Sequence, residues 1–207
     1  MANSVLVNLC TTIIALSVSV PLSSQDWEFV KEKDGISIYT REEEGSTVKS
    51  FKGTCEIEAS PVKVFTLMED VSNTSWWDKN LTQIKVLKYE KNKMAQYYLV
   101  YDLPWPVTDR DLCVEATIMI DNEKGEYRID AVPLPGLIPE KKDLVRITDY
   151  RQTWTIRPAG KDKSLVELEG LIDPSGSVPD WISNMLLVDS PFKSISGVRE
   201  QLQKIKK

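Results

Sequence analysis

Histidine is absent from the 207 residues of the chain. Without imidazole, Ser-His and Cys-His nucleophilic systems, His-ligated metal sites and the usual general base at neutral pH are excluded. Any catalysis would have to use carboxylate, Lys, Tyr or Cys side chains, and no arrangement of them forms a catalytic pair. The sequence therefore predicts no catalytic residues, no metal site and no cofactor.

Positive charge is also scarce, since 26 Lys and Arg residues face 31 Asp and Glu residues and leave a net charge of -5. A protein that binds nucleic acid neutralises phosphates with clustered basic side chains. Strongly anionic membranes attract the same kind of basic surface. We therefore expect neither nucleic acid nor such membranes as the primary partner.

The N-terminal segment carries no charged side chain before Asp26, and residues 5–20 are dominated by apolar and small residues. Small residues at 17–19 and 23–24 offer cleavage sites, and Pro21 would end a signal helix. Polar interruptions make a permanent span poorer, because about 20 apolar residues are needed to cross a bilayer. We predict a signal peptide at residues 1–24, a domain at residues 25–207 and export to the periplasm or beyond. The alternative is an apolar N-terminal helix of a cytoplasmic domain, which the absence of Lys and Arg before the apolar run favours.

An antiparallel sheet is predicted by alternating apolar and polar residues that recur along most of the domain. Asp34-Gly35 signals the first hairpin turn, and a third strand follows from Val48. A short helix is predicted from Pro61 to about residue 70, with Ser60 as its N-cap. Six further strands follow up to residue 172, one of them spanning residues 145–157. Cys55 and Cys113 fall on the third and sixth strands, so we predict that they are not disulfide-bonded.

The C-terminal segment from Pro179 onward lacks a strand pattern and predicts one long helix. Pro191 lies within it and is expected to kink it. A sheet with one apolar face can hide that face by curling around a helix, and this is the one helix long enough. Apolar residues at steps of four, three, four and three form one stripe of the helix, namely Trp181, Met185, Val188, Phe192 and Ile195.

Several landmarks stand in a characteristic order along residues 27–207. They are Trp27, the run of residues 34–39, Trp77-Asp78, Pro104-Trp105-Pro106, Asp109-Arg110-Asp111, Trp154-Thr155-Ile156-Arg157-Pro158, and residues 174–179 before the last helix. Together they resemble the START family of lipid-binding and lipid-transfer domains. The resemblance covers nearly all of the chain after the predicted signal peptide.

The resemblance implies an α+β helix-grip fold, in which a curved antiparallel sheet of about nine strands wraps around a long C-terminal helix. It further implies a tunnel that holds one lipid or other hydrophobic molecule, gated by the helix and by the loop at residues 134–139. We expect a monomer that is not an enzyme and that touches a membrane surface transiently. The alternative is an enzyme similar to helix-grip cyclases and aromatases, acting on a hydrophobic substrate.

The candidate ligand-binding residues follow from the same resemblance. The helix stripe becomes the tunnel wall, whereas without the resemblance it would be ordinary core. Arg110 has two open interpretations, a fork to a carboxylate that stabilises its turn or a head-group contact. Members that bind phosphatidylcholine carry an Arg where this chain has Thr74, which argues against that ligand. The full candidate set is Asp78, Tyr98, Tyr101, Arg110, Trp154, Trp181, Met185, Val188, Phe192 and Ile195.

Overall fold

The structure is a computed structural model that describes residues 26–176 and 178–205. The predicted signal peptide, residues 1–24, lies outside the described residues. None of the helices within the described ranges combines the length and apolar composition needed to cross a membrane.

Ten strands form one sheet within the described residues. They are β1 (Glu28–Lys33), β2 (Ile36–Arg41), β3 (Ser50–Ile57), β4 (Leu81–Glu90), β5 (Met94–Tyr101), β6 (Arg110–Asp121), β7 (Glu126–Pro133), β8 (Val145–Arg146), β9 (Tyr150–Gly160) and β10 (Lys163–Ile172). Nine of them run in the order β1-β2-β3-β10-β9-β7-β6-β5-β4, and β8 pairs with β6 off this path. Neighbours on the path are antiparallel, which confirms the predicted nine-stranded sheet.

The pairing of β3 with β10 joins the two ends of the domain. Cys55 of β3 lies opposite Val166 of β10, so the N-terminal hairpin and the last strand are neighbours in the sheet. Strands β1 and β4 remain as the two edges. The described cysteines, Cys55 and Cys113, are buried and free, as predicted, because β10, β9 and β7 separate their strands.

The predicted strand at residues 145–157 is wrong as a single element. Its first part is β8, which runs parallel to β6, and its second part is the antiparallel strand β9. The break has a physical cause, because Arg146 is held on β6 by a two-pronged hydrogen bond to Asp111. The sequence contains a sign of the break that the prediction overlooked, because apolar residues of this segment stand at odd positions up to Ile147 and at even positions from Tyr150 onward.

The C-terminal helix runs without interruption from residue 180 to residue 205. It consists of α2 (Asp180–Asn184), a π-helical turn (Met185–Asp189) and α3 (Ser190–Ile205). Pro191 has no N–H, and the turn before it widens so that the Ser190 N–H donates to the Met185 carbonyl. The irregularity expected at Pro191 therefore takes the form of a π turn. The other helix, α1 (Pro61–Glu69), has the predicted bounds, although the Ser60 side chain does not cap it.

The main core lies where α3 crosses β2, β3 and β10. Ile195 and Val198 of α3 are completely buried there, and α1 adds Val64 and Phe65. Gly53 of β3 makes room for the helix, because a Cβ at this position would lie 2.6 Å from the Cδ1 of Ile195. This contact holds the second half of the C-terminal helix against the sheet.

Candidate functional site

A cavity of about 140 Å³ lies between the C-terminal helix and the part of the sheet formed by β4, β5, β6, β7 and β9. Most of its wall is apolar. The wall includes Trp76, Trp77, Tyr97, Leu99, Leu112, Val114, Ile129, Trp154 and Leu186. A concave, largely apolar pocket with a few convergent polar groups is the usual form of a small-molecule site.

One polar cluster in the cavity wall joins the sheet to the helix. Asp78 is 6% exposed, and its Oδ2 accepts hydrogen bonds from the hydroxyls of Tyr101 and Ser190. The Ser190 Oγ lies 3.1 Å from this oxygen and 3.0 Å from the Tyr101 Oη. The Asn80 N–H donates to the other carboxylate oxygen at 3.0 Å. Burial, reinforced by the charge of Asp78, raises the pKa of Tyr101 well above its usual value, so its hydroxyl remains a donor.

Arg110 lies at the start of β6 and is also part of the cavity wall. Its guanidinium donates to the carbonyls of Thr108, Pro174 and Ser175, with N···O distances of 2.9 Å to Pro174 and 3.0 Å to Ser175. The expected fork to a carboxylate is therefore wrong, because three backbone carbonyls converge where the carboxylate was predicted. Burial lowers the pKa of Arg110, although the charge of Asp109 opposes this effect. The contacts fasten the linker that leads into the C-terminal helix.

A two-pronged contact with a carboxylate is instead made by another arginine, Arg146, on the opposite face of the sheet. Arg146 donates to both oxygens of Asp111 at 2.7 and 3.0 Å, and the Tyr98 hydroxyl donates to Asp111 at 2.9 Å. Burial opposes ionisation of Asp111, but the hydrogen bonds from Arg146 and Tyr98 outweigh it and lower the pKa of Asp111. Tyr98 thus does not line the cavity, because side chains alternate along β5 and its neighbour Tyr97 faces inward.

The predicted helix stripe also needs correction. The helix contributes Leu186, Ser190 and Ser194 to the cavity wall, at steps of four residues. None of the five stripe residues is in that wall. Trp181 is 46% exposed, Met185 packs near Leu103, and Val188, Phe192 and Ile195 pack against the main core. The physical reason is that the most apolar helix face packs on the sheet, whereas small serines leave the space open.

Four of the ten candidate residues, Asp78, Tyr101, Arg110 and Trp154, therefore line the cavity. Ligand contact by any of the ten remains a prediction. Sequence reasoning missed Ser190 and Ser194, since nothing marked a serine on an apolar helix as part of a pocket. Leu186, Ser190 and Ser194 follow one another at steps of four residues, and this spacing is the one signal that indicates a shared helix face.

The loop at residues 134–139 does not line the cavity. Leu134 and Ile138 cover Tyr98 and Cys113 on the outer face of the sheet. The loop beside the helix is instead residues 102–109, where Leu103 and Val107 pack against Ile182 and Leu186. The predicted gating by residues 134–139 remains a prediction, and the loop that packs beside the helix is the connection between β5 and β6.

Comparison with known proteins agrees with this architecture. The chain is 30% identical over 181 residues to a protein of Pseudomonas aeruginosa described as uncharacterized, covering 87% of this chain and 89% of that protein. It is 24% identical to the phosphatidylcholine transfer protein of Mus musculus, over 79% of this chain and 77% of that one. The crystal structure of a STAR-related lipid transfer protein from Xanthomonas axonopodis superposes with a TM-score of 0.76 at 28% identity, covering 86% of this chain and 98% of that chain.

The model of one protein family, described as the START domain, matches residues 15–207. That match spans the whole sheet, the cavity and the C-terminal helix. The chain therefore belongs to the START domain family.

Proposed function

We propose that the protein binds one hydrophobic molecule in the cavity and transfers it between membranes, without changing it chemically. The observation that carries this proposal is the apolar cavity between helix and sheet, whose wall contains one polar cluster around Asp78. Relatives whose names describe phosphatidylcholine transfer and lipid transfer support it. Removing apolar surface from water contributes about 25 cal/mol per Å², so hydrocarbon contact alone can retain a lipid.

The walls must move for a lipid to enter. The cavity of about 140 Å³ is smaller than usual ligand pockets, which are about 300–1,000 Å³. The loop at residues 102–109 and the first half of the C-terminal helix form the proposed gate, because Leu103 and Leu186 line the cavity and pack in one apolar cluster with Ile182. Opening it would separate Ser190 from Tyr101 and Asp78.

The proposed membrane contact lies at the same gate. Trp105 in the gate loop is 91% exposed, and Trp181 at the start of α2 is 46% exposed. Tryptophan is enriched at membrane–water interfaces, where its ring lies at the level of the lipid head groups. A monomer exported by the predicted signal peptide would use these two side chains to touch the donor and acceptor membranes.

The alternative of a cyclase or aromatase-like enzyme requires an acid or base free to act on a substrate. Asp78 is the one carboxylate among the described lining residues, and both of its oxygens already accept hydrogen bonds from the protein. This arrangement favours a carrier. Solvent extraction of the purified protein and mass spectrometry would separate the cases, because a carrier releases an unmodified lipid.

Ser194 offers the sharpest test of the cavity. Ser194→Phe places a bulky ring in the cavity wall, so we expect transfer of a fluorescent lipid between vesicles to fall to the uncatalysed rate. Lys193→Phe, on the exposed side of the same helix turn, is the matched control and should transfer normally. Equal transfer by both variants, with melting temperatures like the parent's, would reject the cavity as the lipid site.

A further inference from the structure

A second concave region lies outside the cavity described above. It is a surface groove of about 570 Å³ between the gate loop and the linker that leads into the C-terminal helix. Its wall includes Pro106 and Thr108 from the loop and Gly176 and Pro179 from the linker, all of which are exposed. Arg110 lines the groove as well as the cavity, so this side chain separates the two.

The charge of Arg110 has no ion-pair partner within the described residues. Other arginines there do form ion pairs, namely Arg41, Arg128, Arg146, Arg151 and Arg157. Arg110 is 4% exposed, yet its partners are backbone carbonyls. The charge of Asp109 acts on it without ion-pair contact, and an oxygen of that carboxylate accepts the Leu103 N–H. A buried charge is unfavourable without a counter-charge, so Arg110 favours the approach of an anion.

Two donors of Arg110 remain for such an anion. A guanidinium has five N–H groups, and three of them donate here to the carbonyls of Thr108, Pro174 and Ser175. Nη1 and Nη2 each take part in one of these hydrogen bonds, so each keeps a second N–H. Two oxygens of a phosphate or carboxylate can accept from one guanidinium at the same time, which makes the contact strong and specific. An anion can therefore bind without breaking the contacts that hold the linker.

The groove is the favourable side from which an anion can approach Arg110. On the cavity side the anion would meet an apolar wall and the carboxylate of Asp78. Like charges close together disfavour each other's ionised forms. On the groove side, Thr108 and Gly176 are exposed to water, and no Asp or Glu is among the described residues of the wall. An anion bound in the groove would keep part of its hydration.

Two exposed tryptophans indicate the source of the anion. Trp105 directly precedes Pro106 of the groove wall, and Trp181 follows Pro179 of the same wall by two residues. Tryptophan rings prefer the level of the lipid head groups, which is also the level of the phosphates in a phospholipid bilayer. Contact of both rings with a membrane would therefore bring the groove to those phosphates.

We propose that the groove binds the phosphate of a phospholipid head group in the membrane, and that Arg110 makes a two-pronged contact with it. The site is separate from the lipid in the cavity, and it rests on the proposed function only for the membrane contact. It requires no net negative charge on the membrane, because zwitterionic phospholipids carry the same phosphate. Arg110 already contacts the gate loop and the linker, so the bound phosphate would hold both at the bilayer surface, where lipid is exchanged.

Flotation with two kinds of vesicle measures this docking. One kind consists of phosphatidylcholine, and the other of a galactosyl diacylglycerol with the same acyl chains, which has neither charge nor phosphate. We expect the parent to bind the phosphatidylcholine vesicles about tenfold more tightly. Thr108→Glu should abolish this preference, because the new carboxylate competes for Arg110 while the Thr108 carbonyl remains. Thr66→Glu, at an exposed position of α1, is the matched control and should keep the preference.

A soluble probe tests the site without a membrane and without a variant. Titration of the parent with glycerol 3-phosphate at constant ionic strength should shift the NMR signal of the Arg110 Nε–H until it saturates, whereas glycerol should have no effect. This measurement and the vesicle comparison both use the parent, so they decide the proposal even if Thr108→Glu folds poorly.

Equal binding of the parent to the two kinds of vesicle, or a preference that a folded Thr108→Glu variant keeps, would overturn the proposal. The absence of a shift with glycerol 3-phosphate would overturn the contact with Arg110. A shift without a vesicle preference would assign the groove to a free phosphate ester and overturn the membrane source. Retention of a fluorescent lipid by the parent in solution tests the proposed function separately, so the carrier can stand where the phosphate site fails.

Discussion

Gly197 of α3 lies directly against the main chain of Trp76, so that a Cβ at position 197 would overlap the Trp76 carbonyl oxygen and lie 3.0 Å from its carbonyl carbon. The absence of a side chain at one position thus sets the distance between the C-terminal helix and the segment that carries Trp76, Trp77 and Asp78. These three residues line the cavity. The helix and the polar cluster are positioned by the same contact.

Gly197→Ala tests that contact. Alanine favours a helix over glycine by about 1 kcal/mol, so an uncrowded site would be stabilised. Here the obstacle is backbone, which cannot rotate away, and we expect a loss of about 1–3 kcal/mol in the free energy of unfolding. Chemical denaturation measures it, with Glu200→Ala at an exposed position of the same helix as the control. A gain in stability for Gly197→Ala would contradict the close approach.

The ion pair between Asp111 and Arg146 should matter far more than a surface pair. Both side chains are buried, so Arg146→Met leaves Asp111 without its counter-charge and should cost about 3–5 kcal/mol. Arg128→Met removes a comparable but exposed pair with Asp130 and should cost less than about 1 kcal/mol. Urea denaturation of both variants gives the comparison. Similar losses for the two would mean that the Asp111 pair is accessible to water.

Glu43 is expected to make stability depend on pH under acidic conditions. Burial opposes its ionisation, but hydrogen bonds from Ser50, Arg41 and Arg151 and the charge of Arg151 lower the pKa of Glu43 to about 2. In the unfolded chain the pKa is near the ordinary 4.5, so the unfolded state binds more protons between these values and stability rises with pH there.

The corresponding measurement compares the parent with Glu43→Gln over a pH series. The difference in unfolding free energy should be greatest above about pH 5 and should vanish as the pH falls toward about 2. Glu44→Gln, at the exposed neighbouring position, is the control and should show little difference throughout. A difference between parent and Glu43→Gln that does not change with pH would rule out the ionic role.

Arg110→Met should loosen the start of the C-terminal helix. The change removes the donors to Pro174 and Ser175, and hydrogen bonds to a charged group contribute about 1.5–3 kcal/mol. We expect lower stability together with faster exchange of bound fluorescent lipid. Glu123→Ala, in an exposed turn, should change unfolding by less than about 0.5 kcal/mol. Unchanged melting and exchange in Arg110→Met would show that its hydrogen bonds to Pro174 and Ser175 do not hold the start of the helix.

The sheet could be predicted from sequence because strands such as β2, β3 and β10 bury one face, and apolar residues at every second position indicate that directly. The cavity could not be predicted in the same way. Hydrophobicity marks the helix face that packs most tightly, so it pointed to Ile195 and Phe192, whereas the open face carries Ser190 and Ser194. On this helix the cavity is created by small polar side chains, so a search for apolar periodicity does not find the face that lines it.

The polar residues divide in a similar way. Asp78 and Tyr101 were predicted as site residues and line the cavity together. Tyr98 was assigned to the wrong face, because β5 is buried on both sides and alternation there carries no polar signal. The partners of Arg110 could not be predicted from the sequence, because they are backbone carbonyls, which every residue has and no sequence pattern distinguishes.

The π-helical turn at Met185–Asp189 has a consequence for how this family can vary in length. Such a turn holds one residue more than an α-helical turn, and each residue turns an α-helix by about 100°. Deleting one residue there would restore an α-helical turn and leave the faces of α2 and α3 in phase, so that Ile182 would stay buried and Trp181 half-exposed. Relatives one residue shorter at this point should therefore have a regular α-helix here, and an alignment should need a single gap with the apolar positions of both α2 and α3 in register.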